Sequence, residues 1–483
     1  MRHHFTASSL LPLIILDRFQ WAYCQLDTLR RCLPANIRDS LDELPHTLDG
    51  TYERALQAIP KEKQQHAHHL FQFLITAIRP PRVQELAEMF AIKFDPSASP
   101  NLMDSWRPRN PEEAILSTCS TLITITGIKG SRIVQFSHFS VKEFLTSGRL
   151  STNIRNYHIT LDAAHTVLAQ ACLAVLLQLD EKTDKRRLAT LPLASYAAQH
   201  WVDHVKREDA VLPIKEAMKQ LFHPKKPYLA AWTWIHDLDP IRRRPIPALP
   251  ERPPRPRAGP LYYAVLCGFS ELAKDLIVIH QENVNAKCGY YGSPLHAALY
   301  MGHLDAARVL LDNGADENLG DQDGKTPLAI AVDPENLEAV ELLLKHGANG
   351  DVPDGYYGLL LHGASRRGQV EVVRLLLDHK SDINARGSAN RTPLHMASEG
   401  GHSEVVKLLL GRGAHVNAQS TAHDTPLHRA SRYGYLDVVR ILLEYGANVQ
   451  VRGGGDWTPL QVARSSGHTE VVQLLIEHGA QRE

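Results

Sequence analysis

The chain has 483 residues, of which 43% are hydrophobic and 22% charged, and its formal net charge is zero, as is typical of a protein with two to four globular domains. The charge is unevenly distributed, because residues 257–483 contain 20 basic and 27 acidic residues and the preceding part has the opposite excess. An acidic C-terminal half argues against a nucleic-acid partner, and six scattered cysteines without a C-x-x-C pair argue against a disulfide framework or a zinc site.

Residues 1–16 are an atypical N-terminus. The apolar run Leu10–Leu16 loosely resembles a signal peptide, but no small-residue cleavage site follows it. No run approaches the roughly 18 apolar residues needed to span a bilayer. We therefore expect a cytoplasmic protein that has no membrane partner.

The next part of the chain has the element order of a winged helix. We expect a helical segment over residues 17–60, with Thr47 or Asp49 as the candidate helix cap, and a winged-helix domain over residues 61–150. The predicted elements are helices near 61–78 and 82–92, a polar loop over 95–110, a helix from Pro111, and strands over 122–126 and 133–136. The helix from Pro111 begins with acidic residues and contains no Arg or Lys, so we do not expect it to bind DNA.

Two further regions lead to the C-terminal half. Residues 151–238 are expected to form a helical domain, and residues 239–258 a linker rich in proline and arginine. So many prolines favour an extended, semi-rigid spacer. The alternative is a docking site for a proline-peptide-binding module, because Arg244–Pro250 fits the form R-x-x-P-x-x-P.

One phrase, a turn residue followed by Pro-Leu-His or a close variant, recurs seven times in residues 259–483. The first step is 34 residues and every later step is 33, which indicates stacked supersecondary units. The phrases begin at Gly259, Ser293, Thr326, Leu359, Thr392, Thr425 and Thr458. In most units Thr or Ser caps a first helix, Pro occupies its first position and a Gly ends it, and a second helix then ends at Gly-Ala.

The third and fourth units depart from this pattern. Pro334 and Glu335 stand where the third unit should have its helix-ending Gly, and the fourth unit lacks Thr-Pro and has Lys380 in place of its closing Gly. A non-glycine residue held at positive φ costs about 1 kcal/mol. We therefore expect the middle of the array to be its least stable part.

The repeated pattern resembles that of ankyrin repeats and covers residues 259–483. The resemblance implies a mainly α fold, with a solenoid of seven helix-turn-helix repeats and β-turn fingers. In that family the fingers and the inner helices form a concave face that binds proteins. Its members rarely catalyse reactions through the repeats themselves.

A second resemblance concerns the part before the linker. The phrases that begin at Arg18, Gln25, Leu44, Phe136 and Leu193 are similar to the region after the nucleotide-binding domain of fungal NACHT–ankyrin proteins, which are NLR/STAND-like signalling ATPases. They also resemble the GPI inositol-deacylase-type winged helix. The resemblance implies a role in signalling, and it places His138 where related proteins contact the phosphate of a bound nucleotide.

The predicted function is that of a non-enzymatic interaction protein that binds a protein partner through the repeats. We find no phosphate loop of the form G-x-x-x-x-G-K-[ST] in the sequence, and we predict no catalytic residue, cofactor, metal or small-molecule ligand. The alternative is a truncated fragment of a nucleotide-regulated, NACHT-type switch ATPase, in which residues 1–16 are an artefactual start.

Candidate partner-binding residues lie on the inner helices and the fingers, where arginine and aromatic side chains are the types that interfaces favour. They are Tyr263, Tyr290, Tyr291, Tyr300, Tyr356, Tyr357, Arg366, Arg367, Met396, Arg429, Arg432, Tyr433 and Trp457. The alternative is an ordinary amphipathic surface without a single partner. The fourth residue of the phrase is histidine in four units, and we expect these histidines to bond turn backbone rather than a metal.

Overall fold

The structure, a computed structural model, describes residues 47–95, 99–119, 121–128, 131–205, 212–239, 253–333, 335–353 and 358–481. The chain divides between residues 256 and 257, inside the segment predicted to be the linker, into an N-terminal unit and a C-terminal unit that we call the array. The predictions for residues 1–46, for most of the linker, and for Pro334, Tyr356 and Tyr357 lie outside the described residues.

The N-terminal unit contains the helices and the hairpin that the sequence predicts. Helix α1 (Leu48–Gln57) follows Thr47, whose Oγ1 accepts a hydrogen bond from the Gly50 amide at 3.0 Å. The next elements are α2 (Gln64–Thr76), α3 (Val83–Ala87), α4 (Pro111–Cys119), the antiparallel strands β3 (Ile123–Thr126) and β4 (Ile133–Phe136), and α5 (Phe139–Thr146). Almost fully buried side chains form the core of this part, among them Tyr52, Phe71, Phe73, Ile115, Val134 and Phe144.

The segment predicted as a polar loop also contains one strand of a short ladder. Strand β1 (Ile92–Lys93) pairs antiparallel with β2 (Asn101–Leu102). The loop prediction was wrong over Asn101–Leu102, where Leu102 is buried, because a strand of two residues is too short to produce an alternating pattern in the sequence. The helix predicted near 82–92 is also shorter than expected, because α3 ends at Ala87 and a 3₁₀ turn follows over Glu88–Ala91.

The rest of the N-terminal unit is helical. Its helices are α6 (Leu161–Leu176), α7 (Lys185–Ala189), α8 (Ala194–Val205), α9 (Leu212–Leu221) and α10 (Tyr228–Ile235). Trp201 and Trp232 meet edge to face at 5.3 Å, and the Trp232 indole N–H donates to the Ala198 carbonyl at 2.9 Å. One stretch, Thr152–Leu176, is long and apolar enough to cross a membrane by length and composition, but 61% of its apolar window is buried, as in the core helix of a globular domain.

The array consists of helix pairs that pack on their neighbours in sequence order. The pairs are α11 (Pro260–Leu266) with α12 (Ser270–Val278), α13 (Pro294–Tyr300) with α14 (Leu304–Asp312), α15 (Pro327–Val332) with α16 (Leu337–Lys345), α17 (Leu360–Arg367) with α18 (Val370–Asp378), α19 (Pro393–Gly400) with α20 (Ser403–Gly411), α21 (Pro426–Tyr433) with α22 (Leu436–Glu444), and α23 (Pro459–Ser465) with α24 (Thr469–Glu477). The seven predicted repeats are therefore confirmed.

The ends of these helices follow the predicted chemistry. Thr392 is extended at φ −96°, its side chain accepts a hydrogen bond from the His395 amide, and Pro393 fills the first helical position. Gly401 then ends α19 in the left-handed conformation at φ 76°, and Gly413 follows α20 at φ 95°. In the third and fourth repeats, Glu335 and Lys380 adopt the same left-handed region at φ 56° and 69°, as the sequence predicts.

Replacing Lys380 by glycine should stabilise the array by about 1 kcal/mol, because the exposed lysine is held at a positive φ that glycine adopts without strain. The midpoint of urea unfolding, followed by circular dichroism, measures this change. The matched control is Gly413→Ala, which introduces the same strain where no neighbouring atom lies within 4 Å of the added Cβ, and it should lose a similar amount. An unchanged or lower midpoint for Lys380→Gly would contradict the assigned strain.

Candidate functional site

In four repeats of the array a histidine ties the inner helix to the finger of the next repeat. In the fifth repeat, Nδ1 of His395 accepts a hydrogen bond from the Thr392 amide at 3.1 Å and lies 2.8 Å from the Thr392 hydroxyl oxygen. Nε2 of His395 lies 3.0 Å from the carbonyl oxygen of Asp424 in the sixth repeat. An accepting Nδ1 and a donating Nε2 are the features of a neutral imidazole, and burial lowers the pKa of His395 to about 4.

The same link recurs along the array. Nε2 of a histidine lies 2.9–3.1 Å from the backbone carbonyl oxygen of the residue 29 positions later in three further cases, His296 with Lys325, His362 with Arg391 and His428 with Trp457. The structural interpretation of these histidines is therefore confirmed. Among the described residues, no group of three or more His, Cys, Asp or Glu side chains is placed to hold a metal ion.

A set of charged side chains that we call the arginine network spans the fourth, fifth and sixth repeats. Its members are Arg366 on α17, Arg391 and Asp424 in the fingers, Glu399 on α19, and Arg429 and Arg432 on α21. Glu399 lies 3.3 Å from Arg391, 3.7 Å from Arg366 and 4.0 Å from Arg429. Asp424 lies 3.1 Å from Arg429 and 3.9 Å from Arg432.

The arginine network has more cations than anions, with four guanidinium groups around two carboxylates. The Arg429 side chain is only 10% exposed, and its pKa is lowered first by burial and next by the charge of Arg391. Among the described residues, the buried Nε atoms of Arg391 and Arg429 have no hydrogen-bond acceptor. Arg366 and Arg432 remain accessible, at 31% and 45% exposure of the side chain.

A second feature lies on the same side of the array, in the second repeat. Tyr290 and Tyr291 meet edge to face at 5.1 Å, and the rings of Tyr291 and Tyr300 lie 4.9 Å apart with their planes tilted by 31°. We call these three residues the tyrosine patch. Tyr300 is 44% exposed. Burial, followed by the nearby carboxylates of Asp321 and Asp323, raises the pKa of Tyr300. The surface of the second repeat is therefore aromatic, and two carboxylates of the third repeat lie beside it.

The predicted partner-binding residues fall into two groups. Tyr300, Arg432, Tyr433 and Trp457 are exposed, and Tyr290, Tyr291, Arg366 and Arg367 are half-buried. Tyr263, Met396 and Arg429 are buried, at 0%, 3% and 8% exposure, against the expectation that they face a partner. These three occupy one and the same position of the repeat, on inner helices that pack against the inner helices of the neighbouring repeats.

Two residues of the arginine network, Arg391 and Asp424, were absent from the predicted site. Arg391 and Asp424 immediately precede Thr392 and Thr425, and the backbone carbonyls of this position accept the histidine links. The sequence does contain a signal for these residues, because the residue type at this position changes from repeat to repeat while the phrase that follows it is constant. The position carries Gly292, Lys325, Gly358, Arg391, Asp424 and Trp457. A position that varies within an otherwise constant repeat is a candidate for contact with a partner.

His138 has a local structural role in the N-terminal unit. It precedes α5, and its Nδ1 lies 2.6 Å from the Ser140 hydroxyl oxygen, which lies 2.8 Å from the Tyr52 hydroxyl oxygen. Its Nε2 is buried, with no hydrogen-bond partner in the described part of the chain. In this arrangement His138 offers no accessible ring nitrogen to a nucleotide phosphate, so the residue does not fit the contact that the resemblance implied.

Two family models match the chain. The model described as "Ankyrin repeats (3 copies)" matches residues 261–354, 361–453 and 416–483. The model described as "GPI inositol-deacylase, winged helix domain" matches residues 52–155, and therefore begins before residue 61, where the sequence pattern predicts the start of that domain. The two matches reproduce the order of domains predicted from the resemblance to NACHT–ankyrin proteins.

Individual proteins are similar to parts of the chain. Azaphilone pigments biosynthesis cluster protein L of Monascus ruber is 31% identical over 291 residues, which are 57% of this chain and 61% of that protein, so the chain spans less than two thirds of it. Alpha-latrocrustotoxin-Lt1a of Latrodectus tredecimguttatus is 32% identical over 72 residues, 15% of this chain and 5% of the toxin. The solved ankyrin repeat domains of human ASB11 and of Bcl-3 are 31% and 30% identical, cover 47% and 45% of this chain and 100% and 98% of their own, and superpose with TM-scores of 0.39 and 0.42.

Proposed function

We propose that this chain, which combines ankyrin repeats with a winged helix of the GPI inositol-deacylase type, is a non-enzymatic interaction protein that binds a protein partner through the array. Ankyrin repeats are in general interaction modules rather than catalysts. The proposed contact surface contains the exposed side chains of the arginine network, the tyrosine patch, and the aromatic residues Tyr433 and Trp457.

One observation carries this proposal. Tyr300, Arg366 and Arg432 occupy the same position of three repeats, and each projects a large side chain from an inner helix into solvent. The next position carries Met301, at 44% exposure, and Tyr433, also at 44%. Exposed aromatic residues and arginines in register on one surface are the composition that protein interfaces favour.

A signalling role of the NLR type is the finer part of the proposal. Its support is the pairing of a winged helix and an ankyrin array in one chain, together with the resemblance to NACHT–ankyrin proteins. In that setting the array would recognise a partner, and the N-terminal unit would be a regulatory or adaptor region. The cytoplasm is the compartment we propose for it.

Affinity capture with the full chain tests the contact surface. The wild-type chain should retain a defined set of proteins from an extract of its source organism, and the double variant Arg366→Glu with Arg432→Glu should lose them. Arg429 is left unchanged, because reversing its buried charge would disturb the fold and confound the result. The circular dichroism spectrum should match that of the wild type and show that the double variant is folded under the conditions of the capture.

The control is Arg374→Glu on α18, where the side chain has a similar exposure of 43% but lies on the second helix of its repeat. This variant should capture the same proteins as the wild type. A second double variant, Tyr300→Ala with Tyr433→Ala, tests the aromatic contribution independently of charge. Capture that survives both double variants would remove this surface from the proposed function.

A further inference from the structure

We propose that the partner contacts the arginine network through an acidic segment that carries at least two Asp or Glu carboxylates. This inference rests on the proposed function, because it specifies the chemistry of the partner at the same surface. It follows from the charge, the unsatisfied donors and the layout of the network.

The first step is the charge balance. The network contains Arg366, Arg391, Arg429 and Arg432 but only the carboxylates of Glu399 and Asp424, so its formal charge is +2. The array as a whole has seven more acidic than basic residues, so this surplus is local. A cationic site on an acidic body attracts a short anionic segment and still repels an extended polyanion such as a nucleic acid.

The arginine network also has hydrogen-bond donors that its own carboxylates do not use. A guanidinium group has five N–H donors, and carboxylates are the acceptors that match their geometry best. The Nε atoms of Arg391 and Arg429 lack acceptors among the described residues, which indicates that the internal carboxylates do not saturate the network. The side chains of Arg366 and Arg432 are 31% and 45% exposed and can therefore donate to a ligand from outside.

The third step is the layout of the charge. Arg366 and Arg432 lie on inner helices two repeats apart, Glu399 lies on the inner helix between them, and Arg429 lies on the same helix as Arg432. Since the surplus charge is distributed over three repeats, two separate carboxylates neutralise it better than one compact phosphoryl group. Glu399 and Asp424 also hold the guanidinium groups in place before the partner binds, which reduces the ordering cost on binding.

The opposite charges at the two ends of the contact surface also define where the acidic segment lies along it. Asp321 and Asp323 lie near the tyrosine patch, in the finger of the third repeat and three repeats from Arg432, and would repel an acidic segment. Charge complementarity of this kind fixes the register of a partner more than it adds affinity. We therefore expect the acidic segment to lie over the fourth to sixth repeats.

Fluorescence anisotropy with the full chain tests the inference. The probes are labelled Gly/Ser peptides of equal length that carry four glutamates, four lysines, or two phosphoserines, together with a short single-stranded oligonucleotide. The glutamate peptide should bind more tightly than the other probes. Its affinity should decrease as salt is raised, because a Debye length of about 8 Å at 0.15 M screens exposed charges.

Variants of the arginine network connect the binding to these residues. Arg432→Glu and Arg366→Glu should each lower the affinity for the glutamate peptide about fivefold or more. The control Arg374→Glu should change its affinity less than twofold. Asp321→Lys, at the opposite end of the contact surface, should raise the affinity for the glutamate peptide or leave it unchanged.

The outcomes separate this inference from the proposed function. Equal binding of the glutamate and lysine peptides, tighter binding of the phosphoserine peptide or the oligonucleotide, or insensitivity to both arginine variants would overturn the acidic-segment proposal. If protein capture is then still lost in Tyr300→Ala with Tyr433→Ala, the interaction function stands and only the partner chemistry is wrong. If capture survives every surface variant, the proposed function itself fails.

Discussion

Replacing Leu409 by alanine is expected to lower the free energy of unfolding of the array by about 2–5 kcal/mol. Leu409 lies on α20, is fully buried, and belongs to a helix that packs against the first helix of its own repeat and the second helices of both neighbours. Truncation removes the hydrophobic contribution of the side chain and leaves a cavity that the stacked helices cannot fill without breaking their register.

Denaturant unfolding and hydrogen exchange measure this loss together. The array is a set of linked repeats, so the midpoint of unfolding should fall and the amides of α20 should lose protection more than those of the N-terminal unit. The matched control is Leu408→Ala in the same helix, where the side chain is half-buried and the loss should be clearly smaller. A change under about half a kcal/mol for Leu409→Ala would contradict the packing described for this repeat.

The sequence predicts the array well because each repeat specifies its own ends. Thr392, Pro393 and His395 place the start of α19, and Gly401 places its end, so the period alone locates the helices. The hairpin of the N-terminal unit is equally local, since Gly127 at φ 102° turns the chain between β3 and β4. The predictions made from such local chemistry are confirmed by the structure.

The candidate site is predicted less well, because its residues come together only when repeats stack. Arg391 and Glu399 lie eight residues apart in the sequence, but their partners Arg366 and Arg429 belong to the repeats on either side. Burial was also misjudged at Met396, which is 3% exposed on an inner helix that packs against the inner helices of both neighbouring repeats. Periodicity within one unit cannot distinguish a side chain that faces solvent from one that faces the next unit.

Lowering the pH from 6.5 to 4 is expected to destabilise the array, and His395 alone should contribute about 3 kcal/mol of the loss. Its pKa is lowered from 6.5 to about 4, first by burial, so between these values the unfolded chain binds a proton that the folded array excludes. The stabilising contribution is therefore fully present above pH 6.5 and is lost as the pH falls. Burial also lowers the pKa of His296 and His428, which act in the same direction.

The chain itself supplies the control for this pH dependence. In the seventh repeat Gln461 occupies the histidine position, and its Oε1 accepts a hydrogen bond from the Thr458 amide at 2.8 Å, so glutamine supports the same cap without titrating. His395→Gln should therefore flatten the dependence of the urea midpoint on pH between 6.5 and 4, although it weakens the link to Asp424 and lowers the midpoint at pH 7.5. Carboxylates that titrate in the same range contribute equally to the pH dependence of both proteins. Their contribution therefore cancels when the two profiles are compared. Parallel pH profiles of His395→Gln and the wild type would mean that protonation of this histidine does not limit the stability of the array in acid.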